Sequence, residues 1–152
     1  MEDVMGIVDD LAKMQADVLE SIDNLSAEEL NRPNTIGKWS ARDVLLHMAM
    51  WDGEALKAFA VWRTGHDYDW TYADGYLKIN ACWHEIAEKM SEKQVIQMYN
   101  LLRGALIADM SGITDDVWKS RGGVPKWLPG IVIEHNEWHL AKLKAYKASL
   151  SK

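Results

Sequence analysis

Two histidines four residues apart, His135 and His139, stand in the stretch IVIEHNEWHLAKL. Residues at i and i+4 share one helix face about one turn apart, so both imidazoles can reach one ion. Imidazole nitrogen suits borderline divalent metals such as Zn²⁺, Ni²⁺ or Fe²⁺. A third imidazole from a facing helix would complete three protein ligands. A tetrahedral ion would then keep one position for water or substrate, the pattern of a catalytic site. His47, in WSARDVLLHMAMWD, is the candidate third ligand. The plainer alternative is three unrelated core histidines, each hydrogen-bonded to a neighbour.

An internal repeat favours the ligand reading. Sliding the chain by 88 positions brings Leu25 onto Ile113, Ser26 onto Thr114, Leu30 onto Trp118 and Lys38 onto Lys126. Trp39 falls on Trp127, Val44 on Val132, His47 on His135, and Trp51 on His139, with no gap. The pattern predicts two similar helical hairpins around a pseudo-twofold axis, with His47 and His135 facing each other across the core.

The elements that must carry these residues are helical. Leu, Ala, Met, Glu and Lys are plentiful and Pro and Phe scarce, a mix that favours helices. The first helix runs from about Asp3 to Asn24, with an apolar stripe at Val4, Val8, Leu11, Val18 and Ile22. SAEE, from Ser26, is a capping-box pattern for a short helical turn. Ser40 and Asp43 form a second box, with Trp39 and Val44 placed as a hydrophobic staple, and that helix should reach about Trp62. A third helix starts near Ala73 and carries Tyr76, Ile79, Asn80, Trp83, Ile86 and Ala87 inward. It breaks near Met90, where Ser91 offers a new cap, and resumes through Val95, Met98, Leu101, Leu102 and Ile107 to about Met110. A fourth runs from Pro129, a good first-turn residue, to about Leu150. Its inward stripe is Leu128, Val132, His135, His139, Leu143, Tyr146 and Leu150. The expected architecture is all-α: a four-helix bundle in a single domain spanning residues 1–152.

Around the histidines, Trp51, Tyr76, Asn80 and Trp83 are candidates for pocket walls, with ordinary core packing as the alternative for each. No residue stands out as a general base. Glu134, at the edge of the inward face, and Asp52, beside Trp51, are the carboxylates to consider, and helix-surface placement is the plainer reading of Glu134. His66, in a polar loop, and His84, on the flank of the third helix, are not expected ligands.

A net charge of −6 without a basic cluster argues against nucleic acid. No apolar run approaches the roughly 18 residues of a membrane span. The start, MEDVMGIVDD, lacks the basic and apolar blocks of a signal peptide. Cys82 is the single cysteine, so no intrachain disulfide can form, and a reducing cytoplasm is the expected compartment.

GKWSARDVLLHMAMWD resembles the second-helix signature of the DinB-like superfamily, where Trp-Ser precedes a helix carrying a His. IVIEHNEWHLAKL is similar to its last helix, with two histidines four apart. YADGYLKINACWHEIAEKMSEKQV looks like the DfsB-like branch, which includes colibactin self-resistance proteins. The resemblance implies a four-helix bundle holding one divalent metal through His47, His135 and His139. It also implies relatives that transfer a low-molecular-weight thiol (bacillithiol, mycothiol or glutathione) and members that dimerise. Some DfsB-like proteins act without metal.

Two functions are therefore expected to compete. One is a divalent-metal-dependent hydrolase or thiol transferase acting on a small molecule. The other is a metal-free resistance protein that sequesters a reactive small molecule in a bundle cavity.

Overall fold

The computed structural model describes residues 4–71 and 75–150. Among them the chain forms helices α1 (Val4–Ile22), α2 (Ala27–Asn31), α3 (Ala41–Arg63), α4 (Tyr76–Glu88), α5 (Glu92–Ser111) and α6 (Asp115–Ser120). A π-helical segment, Pro129–Glu134, then runs into α7 (His135–Leu150). No β-strand is formed among the described residues. None of the helices is long and apolar enough to cross a membrane.

Local chemistry sets most of these boundaries. Ser26, Ser40 and Ser91 each head a complete capping box, closed by Glu29, Asp43 and Gln94 respectively. At α3 the Ser40 amide donates to Asp43 Oδ2 at 2.9 Å and the Asp43 amide donates to Ser40 Oγ at 3.1 Å. Before this cap the backbone of Ile36 and Trp39 pairs in both directions across a two-residue turn. Gly37 there has φ +64°, where an L side chain is strained and glycine is not.

The third long helix is interrupted at Lys89–Ser91, as expected; its predicted start at Ala73 lies outside the described residues. Its phase differs from the predicted stripe. Tyr76 is 53% exposed, Ile86 is exposed, and Leu101 is 70% exposed rather than inward. The face of α5 that is buried is Val95, Tyr99, Arg103, Leu106 and Met110, and Leu101 lies about 200° around the helix from Tyr99. A stripe containing Arg103 does not register as apolar, so Leu101 and its neighbours attract the sequence reading instead.

Helix α3 packs against α5, α4, α2 and the π segment, while α1 packs against α7 and α5. The apolar interior falls into two clusters. One gathers Met14, Val18, Val44, Met48, Tyr99 and Leu143; the other gathers Leu11, Phe59, Trp62, Leu106, Trp118 and Val132. Between them along α3 and α5 sits a buried ion pair. Arg103 donates through Nε to Asp52 Oδ2 at 2.8 Å and through Nη2 to Oδ1 at 3.0 Å. Both residues are fully buried. The Met14 sulfur lies 3.8 Å from Arg103 Nη1. Charges this deep are tolerated only when both partners are satisfied.

The pair thus fixes α3 against α5 and with it the height of His47. Arg103→Met alone should lower the unfolding free energy by about 3–5 kcal/mol, because it strands the Asp52 carboxylate. Arg103→Met combined with Asp52→Leu should recover most of that loss. Urea unfolding of the three proteins checks both statements, and wild-type stability in Arg103→Met would contradict the bracing role.

Candidate metal centre

Each imidazole reaches the site from a locally fixed element. His47 lies two turns into α3, downstream of the Ser40–Asp43 cap. The Gly37 turn delivers Trp39 onto the same spot, its ring 4.6 Å from that of His47 and 6.1 Å from that of His139. His135 is the first residue after the π segment, and His139 stands one turn on. A π turn carries an extra residue relative to an α turn, so it re-aims the side chains on the helix beyond it; such turns concentrate at functional sites.

The three side chains converge. His135 Nε2 lies 2.9 Å from His47 Nε2 and 3.0 Å from His139 Nε2. One ligating nitrogen from each residue falls within 4.8 Å of the others. His47 and His139 are buried and His135 half-buried. No partner sits in full hydrogen-bond geometry at any of the three Nδ1 atoms, although the Asn80 side chain faces His47 and the Ile131 backbone faces His135.

This arrangement keeps the imidazoles neutral. Burial, then the neighbouring His135 and His139, lowers the His47 pKa from 6.5 to about 2, with the nearby Asn80 side chain opposing. Burial, then His135 and Lys142, lowers that of His139 to about 3. Burial also lowers His135, the Ile131 backbone opposing it and the Arg103 charge adding to it.

The residues fit a divalent transition metal. Three imidazoles kept neutral by burial bring their Nε2 atoms together, and an imidazole nitrogen without a proton offers a lone pair. A tetrahedral ion with Zn–N bonds of about 2.0–2.1 Å needs nitrogens about 3.3 Å apart, and His135 Nε2 lies within a few tenths of an ångström of that from both His47 Nε2 and His139 Nε2. Zn²⁺, Ni²⁺ and Fe²⁺ all accept such a set. No carboxylate or thiol joins the cluster among the described residues. Asp52 is held by Arg103 and Glu134 is exposed, so neither carboxylate is brought to the imidazoles. Exposed Cys82 also lies outside the cluster.

The imidazoles open onto a cavity of about 330 Å³. Trp51, Tyr76 and Asn80 line it. Trp83 does not; it packs behind, 5.3 Å from Trp51 and 6.4 Å from His47 between ring centres. Trp39, Gly130, Ile131 and Trp138 complete the walls. Sequence spacing marks Trp39 only as a staple and gives Trp138 no role; its place directly before His139 is the available signal. Trp138 is half exposed at the rim, with Lys142 Nζ 3.6 Å above its ring. His66 is exposed and contacts Thr64 Oγ1, whereas His84 lies 3.5 Å from Asp43.

The described residues are all-α, and they bring together three imidazoles that could hold a metal ion. Residues 10–142 match the DinB superfamily, and the chain belongs to that family. No curated protein and no solved structure matches it.

Burying neutral imidazoles has a consequence in acid. Both pKa values are depressed on folding, so below about pH 6.5 the unfolded chain takes up protons that the native state refuses. Stability of the metal-free protein therefore falls as pH drops from 6.5 toward 3. By pH 5 the loss is about 2 kcal/mol for each of His47 and His139. Urea midpoints of metal-free wild type and His139→Gln at pH 7 and pH 5 test this. The variant should lose visibly less stability between the two pH values, and equal losses would contradict neutral burial.

Proposed function

We propose that this protein is a divalent-metal-dependent enzyme acting on a small molecule, either hydrolysing it or transferring a low-molecular-weight thiol to it. One observation carries the reading: His47, His135 and His139 converge on one point at the floor of an aromatic cavity. A bound Zn²⁺, Ni²⁺ or Fe²⁺ supplies Lewis acidity, polarising an electrophile or lowering the pKa of water or a thiol. The protein contributes three neutral imidazoles and aromatic walls around them. Trp39, Trp51, Tyr76 and Trp138 offer flat faces, and among the described residues Asn80 is the one uncharged polar side chain in the walls apart from the imidazoles and the Tyr76 hydroxyl. Among the described residues no Asp, Glu, Lys or Arg lines the cavity. That chemistry suits an uncharged, flat substrate with its electrophilic atom toward the imidazoles. Glu134 and Asp52 are not favoured as the base, since one is exposed and the other is committed to Arg103. The reading takes residues 1–152 as one domain working in the cytoplasm, with homodimer formation as in its superfamily.

A second reading draws on the same walls. Four aromatic rings around one cavity could hold a reactive flat molecule without any metal, as a DfsB-like resistance protein would. Chelation separates the two.

Elemental analysis of tag-free protein, after incubation with each of the three ions, tests the first reading. Wild type should hold near one equivalent of transition metal, and His47→Ala, His135→Ala and His139→Ala should each hold little. Metal-free wild type, or full occupancy in any of the three variants, would sink the three-histidine assignment. Protection or tight ligand binding that persists in chelator would then favour sequestration.

A further inference from the structure

Behind His47, on the side away from the other two imidazoles, lies a gap of about 10 Å³. That is close to one water-sized sphere. Its polar walls are Asp43, His47, Asn80 and His84, closed by Trp39 and Trp83. Each of the four polar residues has a buried atom with no hydrogen-bond partner: Asp43 Oδ1, His47 Nδ1, Asn80 Oδ1 and His84 Nδ1. Buried polar atoms are rarely left unpaired, and four around one small space call for a common partner.

The inventory matches one molecule. Two of the groups are carbonyl or carboxylate oxygens, which accept. Two are imidazole nitrogens, which can donate. A water offers two donors and two acceptors, and a buried water makes two to four hydrogen bonds. Asp43 is well placed to anchor it. Its Oδ2 is fixed by the Ser40 amide, and its Oδ1 has His84 Nδ1 at 3.5 Å and Arg42 Nη2 at 3.8 Å. His84 in turn faces Glu88 through Nε2 at 3.7 Å, so the row reaches an exposed carboxylate.

We propose that Asp43 and His84 are positioning residues that hold His47 through one buried water. The water accepts the His47 Nδ1–H and the His84 Nδ1–H and donates to Asp43 Oδ1 and Asn80 Oδ1. The His47 proton is thereby fixed on Nδ1, and Nε2 keeps its lone pair toward His135 and His139. A carboxylate behind a ligating imidazole fixes its tautomer and orientation and raises its basicity. Asp43 therefore has two jobs, one oxygen for the helix cap and one for the site, and the capping box couples the start of α3 to the ligand two turns on. The inference rests on the metal-site reading for its consequence, but not for its geometry.

Two readouts test it. The first is the His47 tautomer in metal-free protein, from long-range ¹H–¹⁵N correlation spectra. Protonated Nδ1 is expected; protonated Nε2 in the wild type overturns the proposal. This readout needs no metal, so its failure is distinguishable from failure of metal binding. The second is Zn²⁺ affinity by competition with a chromophoric chelator. His84→Leu and Asp43→Asn should each bind zinc about 10- to 100-fold more weakly. His84→Gln, which keeps a donor, should recover part of the loss, and His66→Ala should bind like wild type. The half-exposed His84 makes the folding of its variants secure, and thermal unfolding of the metal-free proteins verifies it. Wild-type zinc affinity in His84→Leu, or loss only in Asn80→Ala, overturns the relay. If the wild type takes up no zinc, the tautomer alone decides.

Discussion

Three imidazoles cannot converge on one largely buried point and all carry positive charge. With ligating nitrogens within 4.8 Å of one another, charging two would set like charges together where little water can screen them. The site must therefore stay neutral or take up a cation that satisfies all three at once. Its surroundings obey that constraint. The walls are mainly aromatic, Asp52 is committed to Arg103, and Arg103, the fully buried cation among the described residues, is thereby neutralised.

The precision of the site comes from short-range devices. A glycine turn at Gly37 sets Trp39, the Ser40–Asp43 box starts α3, and the π segment before His135 sets the phase of α7. The Asp52–Arg103 pair links α3 to α5 between the two apolar clusters. The pair joins the two helices by two directional hydrogen bonds, and setting register is the best-attested use of such buried pairs.

Much of this was legible in the sequence, and the physical reason is locality. The three complete capping boxes involve residues three apart, so Ser26, Ser40 and Ser91 announce their helices without knowledge of the fold. The imidazoles that meet were readable from an i, i+4 spacing and from a partner 88 positions away. The features that escaped depend on tertiary context. Asp52 stands out in sequence only for its place beside Trp51 and Arg103 not at all, because nothing local reports a partner 51 residues away. The outward turn of Leu101 results from that same charged stripe. The π segment at Pro129–Glu134 carries no sequence signal beyond the Pro-Gly pair at its start. Glu134 and Asp52 drew attention through nearness in sequence, which the helices convert into exposure for one and an ion pair for the other.

Membership of the DinB superfamily and the three-imidazole geometry together make the metal the central claim, with substrate chemistry resting on it. X-ray absorption spectroscopy of the metal-loaded protein tests it most directly, because it reads the ligand atoms themselves. The account predicts three imidazole nitrogens at about 2.0–2.1 Å from a zinc ion, with at most one or two further oxygen ligands and no sulfur. A spectrum showing a sulfur ligand, or fewer than three imidazoles, would contradict it.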